Sequence, residues 1–324
     1  IMFSMTLMTG TLITTSASSW LGMWMGLEIN LLSIIPLMVS KNPMSSEASM
    51  KYFIVQAMAS SILLMAIILT LKKNSHFNNK ETMLIYSALM TKMGAAPFHY
   101  WLPQIIEGIS WFYCLVMMTW QKIAPLIMTT YTPTILALTT MVIMSSLMIG
   151  GIQGINQTSL RKIMVFSSIT HLGWMISLTL LNSSTWLIYF SIYSLMSISI
   201  IMMLSHKKIL HMKQLTTKMT KTQKMILALN FMSMSGLPPL LGFMPKWITI
   251  NLMMNHNLTT LSIAMMMITL ITMLMYMKLM LTMLTINLNN HNTNKSHIKQ
   301  TNLPMMFSLL INISLPLCTL INLT

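Results

Sequence analysis

The chain has 324 residues, 55% of them hydrophobic and only 7% charged, with a mean hydropathy of +0.70 and a formal net charge of +15. A soluble domain carries about 25% charged residues, and no stretch of domain length here is polar enough to form one; composition therefore excludes a soluble enzyme or binding module. The positive charge does not indicate a nucleic-acid partner, because the basic residues are scattered through short segments between apolar runs, without a basic face or an aromatic platform.

Apolar runs of spanning length recur from one terminus to the other. They predict an all-α polytopic membrane protein, a single integral domain over residues 1–324, with about eleven transmembrane helices. In chain order these lie at 2–19, 21–39, 48–71, 82–102, 109–131, 133–152, 160–181, 184–205, 226–252, 259–285 and 303–323. The punctuation between them is turn chemistry: Lys41-Asn42-Pro43, Asn78-Asn79, Thr132-Pro133, Gly150-Gly151, Asn182-Ser183-Ser184 and Asn289-Asn290. The first residues lack a basic n-region and a small-residue cleavage site, so no removed signal peptide is expected.

Charge tests this division. Loops on the side of the N-terminus hold twelve basic residues, from Lys41 and Lys51 through Arg161, Lys162 and the run from Lys207 to Lys224 to Lys295 and Lys299. The opposite side holds Lys72, Lys73 and Lys80 alone. Twelve against three is a strong positive-inside bias, which places the N-terminus inside and the C-terminus outside.

Two spans carry helix breakers. The fourth contains Lys92-Met93-Gly94-Ala95-Ala96-Pro97, and the ninth contains Gly236-Leu237-Pro238-Pro239 followed by Gly242 and Pro245-Lys246. Pro and Gly within a span free backbone carbonyls, which then need neighbours or water. The two spans are five apart and run in opposite directions, each with a Lys near its break. Interrupted helices in corresponding positions of two halves mark an antiporter-like inverted repeat. The halves are roughly 1–131 and 133–285, with an extra C-terminal helix at 303–323.

The chemistry lies in charges inside spans. Each Lys at the centre of a spanning helix costs ~2.5–3.5 kcal/mol on insertion, so Lys92, Lys122 and Lys246 together ask for roughly 8–10 kcal/mol before a partner is found. Glu28 is either a carboxylate at a helix end or a protonated or Lys-paired group in the membrane interior. Lys92 and Lys122 either snorkel along their stems or join Glu28 in a set of coupled titratable sites. Lys246 has a further alternative as an interfacial anchor beside Trp247. Lys278, near the end of its span on the basic side, reads as a snorkelling residue.

His171, flanked by Ser167, Ser168 and Thr170, is open to a structural hydrogen bond or a proton relay. His99 beside Pro97 reads as structural, and Glu47, Glu81 and Glu107, at span ends, as solvated or interfacial. Cys114 and Cys318 read as small core residues. Gly150, Gly151 and Gly154 lack the spacing and preceding strand of a phosphate loop and read as a turn. No metal-ligand cluster, P-loop or nucleophile triad appears, so the chain is expected to bind no redox cofactor itself. Its 42 Met, its single Arg, the absence of Asp and an initial Ile suggest translation from an AT-rich organelle genome, hence a mitochondrion.

Several of these segments are familiar in order. Trp20-Leu-Gly-Met-Trp-Met-Gly-Leu-Glu28-Ile-Asn30, Lys92-Met-Gly-Ala-Ala-Pro-Phe-His-Tyr-Trp-Leu-Pro103, Thr119-Trp-Gln-Lys-Ile-Ala-Pro125, Asn156-Gln-Thr-Ser-Leu-Arg-Lys162, Ser168-Ile-Thr-His-Leu-Gly-Trp174 and Gly236-Leu-Pro-Pro-Leu-Leu-Gly-Phe-Met-Pro-Lys-Trp247 resemble the subunit 2 family of animal mitochondrial NADH dehydrogenase, in an arthropod-like form. The likeness covers nearly the whole chain. It implies an antiporter-like subunit in the membrane arm of respiratory complex I, in the mitochondrial inner membrane. Such a subunit moves protons while NADH, FMN, Fe–S clusters and ubiquinone are handled on partner subunits. It also implies that Glu28 and Lys92 form an ion pair. Lys122 then continues towards the centre, His171 lies on the axis linking two half-channels, and Lys246 is the terminal Lys. The alternatives are a stand-alone Na+(K+)/H+ exchanger of the same fold and a structural assembly subunit.

Overall fold

The structure is a computed structural model and describes residues 2–72, 79–181, 184–238, 240–285 and 308. Among these residues the chain forms helices and no strand: α1 Met2–Ser16, α2 Trp20–Met38, α3 Pro43–Lys72, α4 Asn79–Met93, α5 Trp101–Gly108, α6 Trp111–Met118, α7 Trp120–Tyr131, α8 Leu136–Ile155, α9 Leu160–Leu180, α10 Trp186–His206, α11 Met212–Lys218, α12 Lys221–Ser235, α13 Phe243–Asn255 and α14 Thr259–Thr285. The first ten expected spans each correspond to one of these helices or to a consecutive pair. The eleventh, at 303–323, lies outside the described residues, as do Cys318, Lys73, Lys295, Lys299, Pro239 and the turns at Asn78, Asn182-Ser183 and Asn289-Asn290.

The burial pattern is that of a membrane protein. Large apolar side chains such as Leu12, Leu32, Met58, Met141, Met267 and Leu274 are exposed, while Asn30, Gln56, Lys122, Ser167 and Asn230 are buried. In lipid the outward face loses nothing by being apolar, and polar groups turn inwards to find partners.

Both expected helix breaks are present. α4 ends at Met93, Gly94 takes φ +71, and the chain resumes as α5. α12 ends at Ser235, Gly236 takes φ +78, and α13 follows. Each Gly occupies the left-handed region that a side chain disfavours. The span expected at 109–131 holds a third interruption, at Thr119 (φ −113, ψ −76) between α6 and α7. Pro125 of α7 has no N–H to offer the Gln121 carbonyl, so the restarted helix is already short of one bond.

Two further readings are corrected. Gly150, Gly151 and Gly154 form no turn: all three are helical in α8. A side chain at Gly150 would meet Phe166 and Thr170 of α9, and one at Gly151 or Gly154 would meet Thr272 or Met275 of α14. They are small so that helices can approach closely, a common solution within membranes. α3 begins at Pro43 rather than near residue 48, so Lys51 is helical, and it pairs with Glu47 one turn earlier at 2.6 Å.

The chain divides into two compact units, one of residues 1–146 and 176–183, the other of 147–175 and 184–324. The first unit has a core of Met23, Leu27, Leu63, Ala66, Ile67, Ile85, Ala88, Leu89, Ala124 and Met128, drawn from α2, α3, α4 and α7. In the second, the 158–160 segment is tied to 210–212 by Leu160 N–H to the Leu210 carbonyl and Met212 N–H to the Thr158 carbonyl. All four carboxylates of the sequence, Glu28, Glu47, Glu81 and Glu107, belong to the first unit.

Candidate functional site

In the first unit the site grows around the break after α4. Ending a helix inside a span exposes carbonyls, and those of Thr91, Lys92 and Ala96 find donors. The Thr91 carbonyl accepts from Gly94 N–H at 3.2 Å and from Trp101 Nε1–H at 3.0 Å. The Lys92 carbonyl accepts from Gln56 Nε2 at 3.4 Å, and the Ala96 carbonyl from Ser145 Oγ at 3.1 Å. His99, fully buried, donates from Nδ1 to the Pro97 carbonyl at 3.2 Å, in keeping with its structural reading. The break is therefore fixed rather than frayed, and it holds Lys92 in the last turn of α4 with only 7% of its surface exposed.

Lys92 lines a small pocket of about 10 Å³ together with Leu27, Asn30, Leu31, Tyr52, Gln56, Gln121 and Pro125. α2, α3 and α7 each contribute a polar side chain to its wall. Tyr52 Oη donates to Gln121 Oε1 at 3.4 Å, and Gln121 Nε2 donates to Asn30 Oδ1 at 2.9 Å. Glu28, half-buried on α2, is near enough for its charge to act on Lys92, but no ion pair of contact length joins them. The expected Glu28–Lys92 pair is thus an interaction across space. Lys122, next along α7 from Gln121, is 1% exposed, which rules out snorkelling.

Sequence reading did not single out Asn30, Tyr52, Gln56 or Gln121 as site residues. The available signal was a polar side chain inside an apolar span, the same argument applied to the charges. Glu81 lies at a helix end as expected, in the first turn of α4, but at 2% exposure it is buried rather than solvated. Glu47 and Glu107 are exposed, as expected.

In the second unit α9 carries Ser167, Ser168 and His171 on one face. His171 is buried, with Nδ1 2.9 Å from the Tyr189 hydroxyl of α10. The ring of Tyr193, one turn further on, packs 5.0 Å from the imidazole between centroids. The Tyr193 hydroxyl lies by Ser168, and that of Tyr276 on α14 by Ser167.

The break after α12 is closed differently. Ser233 accepts from Gly236 N–H, and the Ser235 carbonyl accepts from Lys246 Nζ at 2.6 Å. The Lys246 side chain crosses from α13 over the Gly236 Cα, and its ammonium stands 5.9 Å from the Trp174 ring centroid. A cation at a helix C-terminus meets the negative end of the backbone dipole, and one over an indole meets its negative face. At 8% exposure Lys246 is not the interfacial anchor considered from the sequence. Lys278, by contrast, is exposed and reaches the Ile155 carbonyl at the end of α8, 2.9 Å away. Among the described residues no three His, Cys, Asp or Glu side chains converge to hold a metal ion.

Residues 17–272 match the family model described as NADH:quinone oxidoreductase/Mrp antiporter, transmembrane. The chain is 47% identical over 278 residues to NADH-ubiquinone oxidoreductase chain 2 of Anopheles gambiae, covering 82% of this chain and 81% of that one. It is 44% identical to the Locusta migratoria protein of the same name, covering 83% and 80%. Among solved structures, a chain of respiratory complex I from Thermus thermophilus with bound aureothin superposes with a TM-score of 0.85 at 19% identity, covering 96% of this chain and 76% of that one. A chain of the membrane-bound sulfane sulfur reductase, an archaeal respiratory membrane complex, gives 0.82 at 15% identity, covering 98% and 72%.

Proposed function

Because the chain belongs to the NADH:quinone oxidoreductase/Mrp antiporter family, and within it to the chain 2 group of NADH-ubiquinone oxidoreductases, we propose that its buried charges form a proton path through the mitochondrial inner membrane. The chain is a multi-pass, antiporter-like subunit of the complex I membrane arm, and its partners are other membrane-arm subunits. In this reading it holds no redox centre. NADH, FMN, Fe–S clusters and ubiquinone act on other subunits, and their redox work reaches this one as a change in local charge. The N-terminus faces the matrix and the C-terminus the intermembrane space, in accordance with the twelve-to-three distribution of loop cations.

Protons pass in turn between Glu28/Lys92, Lys122, His171 and Lys246. One observation carries this: Lys92, Lys122 and Lys246 lie within spans at 7%, 1% and 8% exposure. A charge in so poorly solvated a place interacts strongly with its neighbours, so protonation at one member changes proton affinity at the next. The cavity beside Lys92 supplies hydroxyl and amide groups able to hold water against the ammonium.

The test is Lys92→Ala in the assembled complex, reconstituted in proteoliposomes, with protons translocated per electron as the readout. A lower ratio at an intact rate of NADH oxidation by an artificial acceptor is expected. An unchanged ratio removes Lys92 from the path. Exchanging the two charges, as Glu28→Lys with Lys92→Glu, separates transport from architecture: retained pumping would mean that the row only fixes packing.

A further inference from the structure

The face of α9 that carries His171 meets a set of buried hydroxyls. Tyr189 and Tyr193 stand four residues apart on α10 and so share one side of that helix. With Tyr276 from α14 they are 0–1% exposed, and the sequence of the second unit contains no Asp or Glu. Tyr189 and Tyr193 of α10 face the imidazole, and the Tyr276 hydroxyl of α14 meets α9 at Ser167. Lys246 of α13 stands over the ring of Trp174, which follows His171 on α9. Of the hydroxyls, that of Tyr189 lies in contact with a ring nitrogen, 2.9 Å from Nδ1.

We propose that Tyr189 is a positioning residue for proton exchange at His171, its hydroxyl setting which ring nitrogen takes up and releases the proton. The inference rests on the reading of His171 as a member of the proton path. A hydroxyl has one donor and two acceptor sites and rotates freely between them. When the imidazole is neutral, the Tyr189 O–H donates to Nδ1, so the ring proton sits on Nε2. When the ring is an imidazolium, the hydroxyl turns and its oxygen accepts from Nδ1–H. A backbone carbonyl in that place would hold a proton on Nδ1 in both states, and an N–H donor would face a second N–H once the ring is charged. The hydroxyl keeps the contact in both states; Nε2 stays protonated throughout, and the proton taken up and released is the one on Nδ1, the nitrogen that faces the hydroxyl. Tyr193 provides the internal comparison: its ring packs on the same imidazole, but its hydroxyl faces Ser168.

The experiment uses the assembled complex in proteoliposomes, with proton-coupled turnover measured against pH in Tyr189→Phe, Tyr193→Phe, His171→Gln and the double variant Tyr189→Phe/His171→Gln. Phe preserves the ring and removes only the oxygen. Tyr189→Phe should lower coupled turnover about tenfold, the size expected for losing a hydrogen bond to a group that becomes charged, and should displace the pH profile. Tyr193→Phe should stay within about twofold of the parent. In the His171→Gln background the Tyr189→Phe change should add little, because two residues acting through one contact are not additive. If the Tyr189→Phe loss is undiminished in that background, or is absent from the outset, Tyr189 only packs and the inference falls. A different result, His171→Gln pumping as the parent does, would remove His171 from the path itself and overturn the reading beneath.

Discussion

At Gly236 two demands meet on one α-carbon. The backbone takes φ +78 to end α12, and a β-carbon there would lie 2.8 Å from Lys246 Cδ and 2.9 Å from its Nζ. Gly236→Ala should therefore cost about 1–3 kcal/mol of stability, part from the left-handed backbone and part from the displaced lysine. Thermal unfolding of the assembled complex measures it. Adding Lys246→Ala should recover the steric part, and a loss of equal size in both backgrounds would show that the lysine is not pressed against Gly236. The same ammonium has three N–H bonds and spends one on the Ser235 carbonyl, so the neutral amine can still close the helix end. At Gln121 the demand is different. Gln121→Leu strands the Tyr52 hydroxyl and the Asn30 amide together, and about 1–3 kcal/mol of destabilisation is expected, read again by thermal unfolding. If the variant melts with the parent, the wall of the Lys92 cavity is held by something else. The charged members of the site were legible because a charge among apolar residues is conspicuous. Asn30, Gln56 and Tyr52 were not singled out, since uncharged polar residues are common in membrane helices and only the fold shows which of them converge.

Helix breaks were visible in the sequence where Pro and Gly cluster, as after Lys92 and after Ser235. The break at Thr119 was not, because its backbone turns at a residue with no special conformational signature, six positions ahead of Pro125. Glycine misled in the opposite direction in α8. Gly150, Gly151 and Gly154 look like a turn in the chain, yet they serve the approach of α9 and α14, and no local rule distinguishes the two uses. α1 and α2 meet by the same device. A β-carbon at Gly26 would lie 2.8 Å from both the Gly10 carbonyl oxygen and the Thr14 nitrogen, which are backbone atoms of α1 that cannot rotate away. Gly26→Val should push α1 and α2 apart, costing about 1–3 kcal/mol and moving Glu28 and Asn30, which follow on the same helix. Lower thermal stability together with a lower proton-to-electron ratio is the expected pair of results. Normal pumping by a fully stable variant would show that this contact does not position Glu28.

For the molecule as a whole, hydropathy revealed the class of fold and loop charge its expected orientation, while the pairing of helices lay beyond both. The orientation has a direct check. Thr217 is exposed in α11, and a Thr217→Cys variant should react with a membrane-impermeant thiol reagent in inverted inner-membrane vesicles and not in mitoplasts. Reaction in mitoplasts alone would reverse the topology. The two units also differ in composition. The first sets seven cations against four carboxylates, and the second has twelve cations with none. On the proposed path, a proton that loads Lys246 or His171 raises the charge of a unit with no Asp or Glu to answer it. The balance must come from elsewhere, and one source spans the whole membrane. An elementary charge moved through the full field is worth about 2.3 kcal/mol per 100 mV. Proton occupancy in the second unit should accordingly follow the membrane voltage, so that an energised membrane holds back the very step that energises it.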